Sequence, residues 1–498
     1  MMCILGGVAN FWGVLRTPLF VIRNHFNHKT MTTRLHTTPE SVGISSKVLL
    51  DVMKELCKLH YLNSISILRH GHCCLEGWVA PYCRETPHQL FSLSKSFTSC
   101  GIGLAQADGR LSVQDKLVSF FPEYGDCIVD SRMNKVTLAD LLTMRSGHLA
   151  CTTRFMFGTD DYVKAFLSSR LDTEPGTRFT YNSGASYMLA AVIKKVTGEN
   201  LREYLGPRLF EPLQMTPGIW ECCPKGINLG GWGLYMTTDD IAKFAQLLLQ
   251  HGKWEGRQIL PEDYLAEATR KHADNSMNEA PDWKQGYGYQ FWRSRHGYRG
   301  DGASGQYAIV LEEQDIAIAV TSCVDNMQAE LDVLWKKLLP YVNDAPLPEA
   351  PEEHRELLDY LQKMAIPTPE PSGSTWHAPA TFRFQDNPAG IRQCDIFFSE
   401  KDCALTFQTN RGSEQLRAGF GHFDYSTFQL TDALPHPVAA YAIWKNPHTL
   451  EIHSFICDGI FRDIWTVDFE DTKVPLKNQM VCSCFRPGKP QFIVNSLR

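Results

Sequence analysis

FSLSKSFTSCGIGLAQADG, residues 91–109, decides how the rest of the chain is read. Ser92 and Lys95 stand three residues apart at the start of a predicted helix, so their side chains share one face, one turn apart. A helix start supplies unpaired N–H groups and positive potential, which suit a hydroxyl whose reaction generates an oxyanion. An ammonium at its ordinary pKa takes no proton. Lys95 becomes a base only if burial or cationic surroundings depress it. A Ser-x-x-Lys spacing alone is equally a capped helix with an exposed lysine, so the flanking sequence has to separate the two.

Upstream, SKVLLDVMKELCKLH (46–60) carries apolar residues at helical spacing. SISILRHG and CCLEGWVA then read as two β-rich runs joined at His70-Gly71-His72, a hairpin. Downstream, a mostly helical stretch runs to about Glu267, broken by Gly109, Pro122, Gly147, Pro175-Gly176 and Pro212. Strand character returns in QYAIVL and IAIAVTS, a second hairpin across EEQD, and NMQAELDVLWKKLLPYV reads as an amphipathic helix. Sheet at both ends of a helical insert predicts an α+β domain, with its site where insert and sheet meet.

Prolines crowd residues 345–380 around a short helix at EEHRELLDYLQKM, which predicts a linker. After it TFRFQ, CDIFFSE, CALTFQT, TFQLTD, AAYAIWK, TLEIHSFI and FRDIWTVDF alternate like strands of a small antiparallel β-domain. The expected plan is a poorly ordered leader at 1–34, an α+β domain at 35–344, the linker, and a β-domain at 381–498. The leader holds Arg16, Arg23, Lys29 and Arg34 without an acidic residue, a transit-peptide trait. Its apolar start is too short to span a bilayer, and Met31 is a second candidate start.

At 498 residues, 43% hydrophobic and 21% charged, the chain buries a large core, which excludes disorder as its main state. A net charge of −6 without a basic run argues against nucleic acid as a partner. The sixteen cysteines fall singly or as the pairs Cys73-Cys74 and Cys222-Cys223, without C-x-x-C spacing. This pattern predicts reduced thiols in a cytoplasm-like compartment rather than structural zinc or a disulfide framework, and no membrane anchor is evident.

The wider context sets the Ser-x-x-Lys reading. VTLADLLTMRSGH (136–148), EPGTRFTYNSGASYMLAAVIKKVTG (174–198), YLGPRLFEPLQM (204–215) and GGWGLYMTTDDIAKFAQ (230–246) follow in order. With Ser92 to Lys95, they resemble the serine β-lactamase-like family, which includes class C β-lactamases, D-alanyl-D-alanine carboxypeptidases and related esterases. The resemblance covers about residues 35–342. It implies a β-lactamase/transpeptidase-like fold: an antiparallel sheet flanked by helices plus a helical subdomain. It also implies a serine hydrolase that needs neither metal nor organic cofactor. Ser92 would be acylated, Lys95 would relay its proton, and Tyr181 would match the tyrosine of the family's Tyr-x-Asn element.

Two departures bear on substrate. Ser183 occupies the position of the family's asparagine, with Asn182 one residue earlier, so contact with a substrate amide changes. Gly300-Asp301-Gly302-Ala303 stands where lactamases carry Lys-Thr-Gly, at the expected start of a sheet-edge strand. Gly302 would let substrate approach the backbone, and the amides of Ser92 and Ala303 would form the oxyanion hole. Without the lysine, carboxylate recognition falls to Arg299.

The same stretch, YRGDGASGQYAIV (298–310), contains Arg-Gly-Asp and a G-x-G-x-x-G. A dinucleotide loop opens a helix, whereas these glycines run into strand, and an adhesion tag requires an exposed extracellular loop. His148 reads as structural. The aromatic run WKQGYGYQFW (283–292) reads as core or as cleft lining. The expected substrate is a small ester, amide or peptide, with efficient β-lactam hydrolysis disfavoured. The rival reading is a catalytically poor penicillin-recognising or ligand-binding sensor on the same fold.

Overall fold

The computed structural model describes residues 36–59, 61–370, 378–387, 390–429, 434–471, 473, 475–481 and 490–494. The expected leader at 1–34 lies outside the described residues, as do Cys482 and Cys484. The chain forms two compact units. One comprises the described residues up to Trp78 together with Gln89–Lys363. The other comprises Val79–His88 with the described residues from Met364 onward.

The first unit is built on a six-stranded sheet. Its strands are β1 (Leu62–Arg69), β2 (His72–Trp78), β3 (Trp292–Arg293), β4 (Tyr298–Gly302), β5 (Gln306–Leu311) and β6 (Ile316–Ser322). The spatial order is β2-β1-β6-β5-β4-β3, and every neighbouring pair is antiparallel. The two hairpins read from the sequence are β1–β2 and β5–β6. All residues of β1, β5 and β6 are buried, which explains why they read as continuous apolar runs rather than alternating ones.

Helix α1 (Ser46–Lys58) starts where the Ser45 hydroxyl accepts the Val48 N–H, and its buried face carries Leu49, Leu50, Val52, Met53 and Leu56. Inserted between β2 and β3 are the helices α2 (Ser94–Ala107), α3 (Ser183–Thr197) and α4 (Thr238–Leu249). Helix α4 packs on β1, β5 and β6, while α2 packs on α3. Phe97 of α2 stacks on Phe244 of α4 with ring centroids 4.0 Å apart, joining the helical core to the sheet.

Three expectations change. The glycines at 300 and 302 do not open an edge strand: they lie at the middle and the end of β4, and the short β3 forms the edge. The proline-rich segment is not all linker. Its helix α5 (Pro351–Gln362) belongs to the first unit, where His354 Nδ1 lies 3.2 Å from the Ser46 hydroxyl of α1. Residues Val79–His88, placed in the first domain by sequence, join the second unit.

The second unit is a ten-stranded sheet from Ala380–Arg383 to Pro490–Val494. Its pairings are antiparallel except where Gly412–Phe420 meets His436–Asn446 in parallel. The inward residues, including Phe407, Leu416, Ile452 and Trp465, form its core. Strand Gly412–Phe420 escapes the sequence reading because its first half is polar and exposed. Among the described residues no helix is long and apolar enough to cross a membrane. Cys73, Cys74, Cys100, Cys151, Cys394 and Cys403 are free thiols.

Candidate active site

Ser92 sits in a single tight turn, Phe91–Leu93, that runs directly into α2. Phe91 holds a left-handed backbone (φ 47°), a strained conformation for a bulky residue and one that recurs at functional turns. The first ten residues of α2 are all buried, although many are Ser or Thr. Their hydroxyls are satisfied locally: Ser96 donates to the Gln290 carbonyl (3.0 Å), Thr98 to the Gly230 carbonyl (2.7 Å), and Ser99 meets the Tyr264 hydroxyl (3.0 Å). These bonds fix the helix that carries Lys95.

Lys95 is 1% exposed. Its Nζ lies 2.8 Å from Ser92 Oγ, 3.1 Å from Ser183 Oγ and 2.6 Å from the Gly231 carbonyl oxygen. Burial drives its pKa down from 10.5 to about 7, against the weaker opposing pull of Cys151 and Asp301. A neutral amine has two N–H groups and one lone pair. If the neutral amine donates to the Gly231 carbonyl and the Ser183 hydroxyl, its lone pair is left for the Ser92 hydroxyl; the charged amine donates to all three.

The Tyr181 ring flanks this amine, with its centroid 4.8 Å from Lys95 Nζ. The ring stacks on Trp292 at 5.4 Å and meets Tyr287 edge-on at 6.2 Å, so the aromatic run supplies both core and the wall that holds Tyr181.

Beside the Ser92 turn, β4 approaches so closely that side chains have no room. A Cβ on Gly302 would lie 2.1 Å from the Leu90 carbonyl oxygen, and one on Gly300 would lie 2.4 Å from Leu93 Cδ1. The glycines therefore serve the chain's own packing and are not an opening for substrate, which corrects the sequence reading of Gly302. Ala303 follows in the turn to β5.

Three other assigned residues point elsewhere. Arg299 is fully buried, stacked 4.4 Å over the Trp283 ring. It donates to Asp301 Oδ2 (2.9 Å) and the Asp282 carbonyl (3.0 Å), so it is not placed as a carboxylate receptor. Asp301 is held by this pair; burial nevertheless pushes its carboxyl up to about 6. Asn182 is also fully buried. Its Oδ1 accepts from the Thr152 N–H (3.0 Å), the Thr152 hydroxyl (2.9 Å) and the Gly184 N–H (3.1 Å), capping α3 rather than facing substrate. Asn182 is engaged by the cap and Thr152, and Arg299 by Asp301 and the Asp282 carbonyl, although Arg299 Nη2 makes no hydrogen bond among the described residues.

His148 is structural, as read. It bridges the Ser146 and Ser169 hydroxyls at 3.0 and 2.8 Å, and burial lowers its pKa to about 4. Sequence reasoning missed Gly231, whose contribution is a main-chain oxygen. It also missed Cys151, whose sulfur accepts the Ser183 N–H at 3.3 Å. Neither carries a side-chain signature of its role.

The Beta-lactamase family model matches residues 64–337, more than half of the chain. The chain belongs to the beta-lactamase family. Similar proteins include a beta-lactamase of Escherichia coli K12, 25% identical over 187 residues, 33% of this chain and 48% of that protein. Penicillin-binding protein 4 of Amycolatopsis lactamdurans is 22% identical over 306 residues, 53% of this chain and 79% of its own length. The chain thus spans about half the length of the first of these relatives. Among solved structures, a penicillin-binding protein homologue of Pyrococcus abyssi aligns over 91% of this chain and 99% of its own at 17% identity, with a TM-score of 0.48. The fold of the first unit is the β-lactamase/transpeptidase-like one, and a separate curled β-sheet follows it.

Proposed function

We propose that the protein is a serine hydrolase that cleaves an ester or amide bond through an acyl-Ser92 intermediate. The observation that carries this reading is the buried Lys95 amine, poised near neutrality and hydrogen-bonded to Ser92. In the forward step the Ser92 hydroxyl proton passes to Lys95 Nζ while Oγ bonds to the substrate carbonyl carbon. The oxygen of that carbonyl becomes an oxyanion that accepts from the Ser92 and Ala303 amides. Collapse breaks the bond to the alcohol or amine, which leaves with a proton returned through Lys95 and Tyr181. Water then attacks the acyl group by the same relay, releasing the acid and restoring Ser92.

Esters and peptide-like amides fit this site better than penicillins. Ser183 uses its hydroxyl as a partner of Lys95, Gly300 supplies no cation, and the guanidinium of Arg299 is committed to Asp301. The test compares wild type with Ser92→Ala on p-nitrophenyl esters, a D-Ala-D-Ala peptide and nitrocefin. Ester or peptide turnover that Ser92→Ala loses, with nitrocefin turned over slowly, supports the proposal. Turnover equal in both proteins refutes it. A lasting fluorophosphonate adduct on Ser92 without turnover of any substrate points instead to a sensor.

A further inference from the structure

We propose that His36, Cys73 and Glu76 form a binding site for a zinc-type divalent cation on the sheet edge opposite the candidate active site. The ligand atoms of these three side chains all lie within 4.8 Å of one another. They converge for a reason visible in the register. In β2, Leu75 pairs with Ile67 and Cys73 pairs with Leu68, leaving Cys74 as an extra, bulged residue. Residues three apart on a regular strand face opposite sides; the bulge restores Cys73 and Glu76 to one side, where Cys73 Sγ is 3.9 Å from Glu76 Oε2. The third ligand arrives from another segment. His36 bridges to Cys73 in parallel, and the Thr37 N–H donates to the Cys73 carbonyl at 3.1 Å.

The donor set of imidazole nitrogen, thiolate sulfur and carboxylate oxygen is that of zinc and cobalt, not of calcium or magnesium. A tetrahedral ion with bonds of about 2.0–2.3 Å sets its ligand atoms about 3.5 Å apart, so the widest pair here closes by about 1 Å through side-chain rotation. Three protein ligands leave one position for water. No C-x-x-C spacing announces the site because its ligands come from a bulge and a separate segment. In the sheet, β2 stands four strands from β4, about 19 Å at the usual strand spacing, so the ion takes no part in chemistry at Ser92. Its effect is to clip the segment before α1 to an open sheet edge.

Cobalt reports the site directly, because a thiolate ligand gives a near-ultraviolet charge-transfer band. Chelator-treated full-length protein titrated with Co²⁺ is expected to develop that band to one ion per chain, and Zn²⁺ is expected to bleach it. The band should vanish in Cys73→Ser, and affinity should fall at least about 10-fold in His36→Ala and Glu76→Gln. It should persist in Cys74→Ser, whose sulfur contacts the Ile67 carbonyl at 3.5 Å instead. Far-ultraviolet circular dichroism verifies that each variant folds. Zn²⁺ should raise the melting temperature of wild type and of Cys74→Ser but not of Cys73→Ser. A band that survives Cys73→Ser, or a wild type that shows neither a stoichiometric band nor a zinc-dependent melting shift, overturns the proposal.

Discussion

Replacing Lys95 by methionine is expected to make the protein less active and more stable at once, with a pH dependence that identifies the cause. Burial holds the amine near 7 instead of 10.5. Below about pH 7 the lysine is charged in both folded and unfolded chains, and its desolvation penalty, about 5 kcal/mol, is fully present. Above 10.5 it is neutral in both states and the penalty is gone. Between these limits the unfolded chain binds the extra proton, so wild-type stability climbs with pH by up to about 1.4 kcal/mol per unit. Methionine fills similar volume and carries no such penalty, but it gives up the bond to the Gly231 carbonyl, a loss of about 1–3 kcal/mol. Lys95→Met should therefore exceed wild type by about 2–3 kcal/mol near pH 6.5, and that advantage should shrink by about 2.5 kcal/mol on going to about pH 9. Urea unfolding followed by circular dichroism at both pH values measures the gap, and ester turnover should fall by about 10²–10⁴. A stability gap that does not change with pH refutes the assignment of a depressed, buried amine.

Three further outcomes follow from the same geometry. The kcat/KM of wild type should rise through about pH 7, because the base must be unprotonated to accept the Ser92 proton; a profile flat from about 5.5 to about 8.5 contradicts this. Gly302→Ala forces a Cβ toward the Leu90 carbonyl, 2.1 Å away, and the shift of the Ser92 turn should cut kcat/KM by about 10²-fold. Gly300→Ala should be milder, since it meets the tips of Leu93 and Ser96, and steady-state kinetics on both variants tests the contrast. Asn182→Ala removes the α3 cap and the Thr152 bonds, so thermal unfolding should show a loss of about 2 kcal/mol. KM should move less than about 3-fold; a large rise in KM with unchanged stability returns Asn182 to a substrate-binding role.

Local signals carried most of the fold. The hairpins β1–β2 and β5–β6, helix α1 and the turn into α2 follow from apolar spacing and from Gly and Pro punctuation, because each is decided within a few residues. Ser92, Lys95, Tyr181 and Ser183 were legible as site candidates because each offers a side chain at a recognisable position, and the structure gathers Ser92, Ser183 and the Tyr181 ring around Lys95 Nζ. The failures share one cause. Arg299, Asp301 and Asn182 carry the polar chemistry a substrate site uses, yet each is buried and bonded within the fold, and burial depends on partners far away in sequence. Strand Gly412–Phe420 fell below notice for the opposite reason: half of it is polar and exposed, and only its neighbours make it a strand.

The grip on Lys95 by the Gly231 carbonyl has a practical corollary. A main-chain oxygen survives every side-chain replacement, and position 231 accepts none readily, since a Cβ there would stand 2.7 Å from the Ser183 carbonyl. Replacing Tyr287 or Trp292 is therefore expected to disturb the Tyr181 ring they hold while the Gly231 carbonyl keeps its hold on the amine.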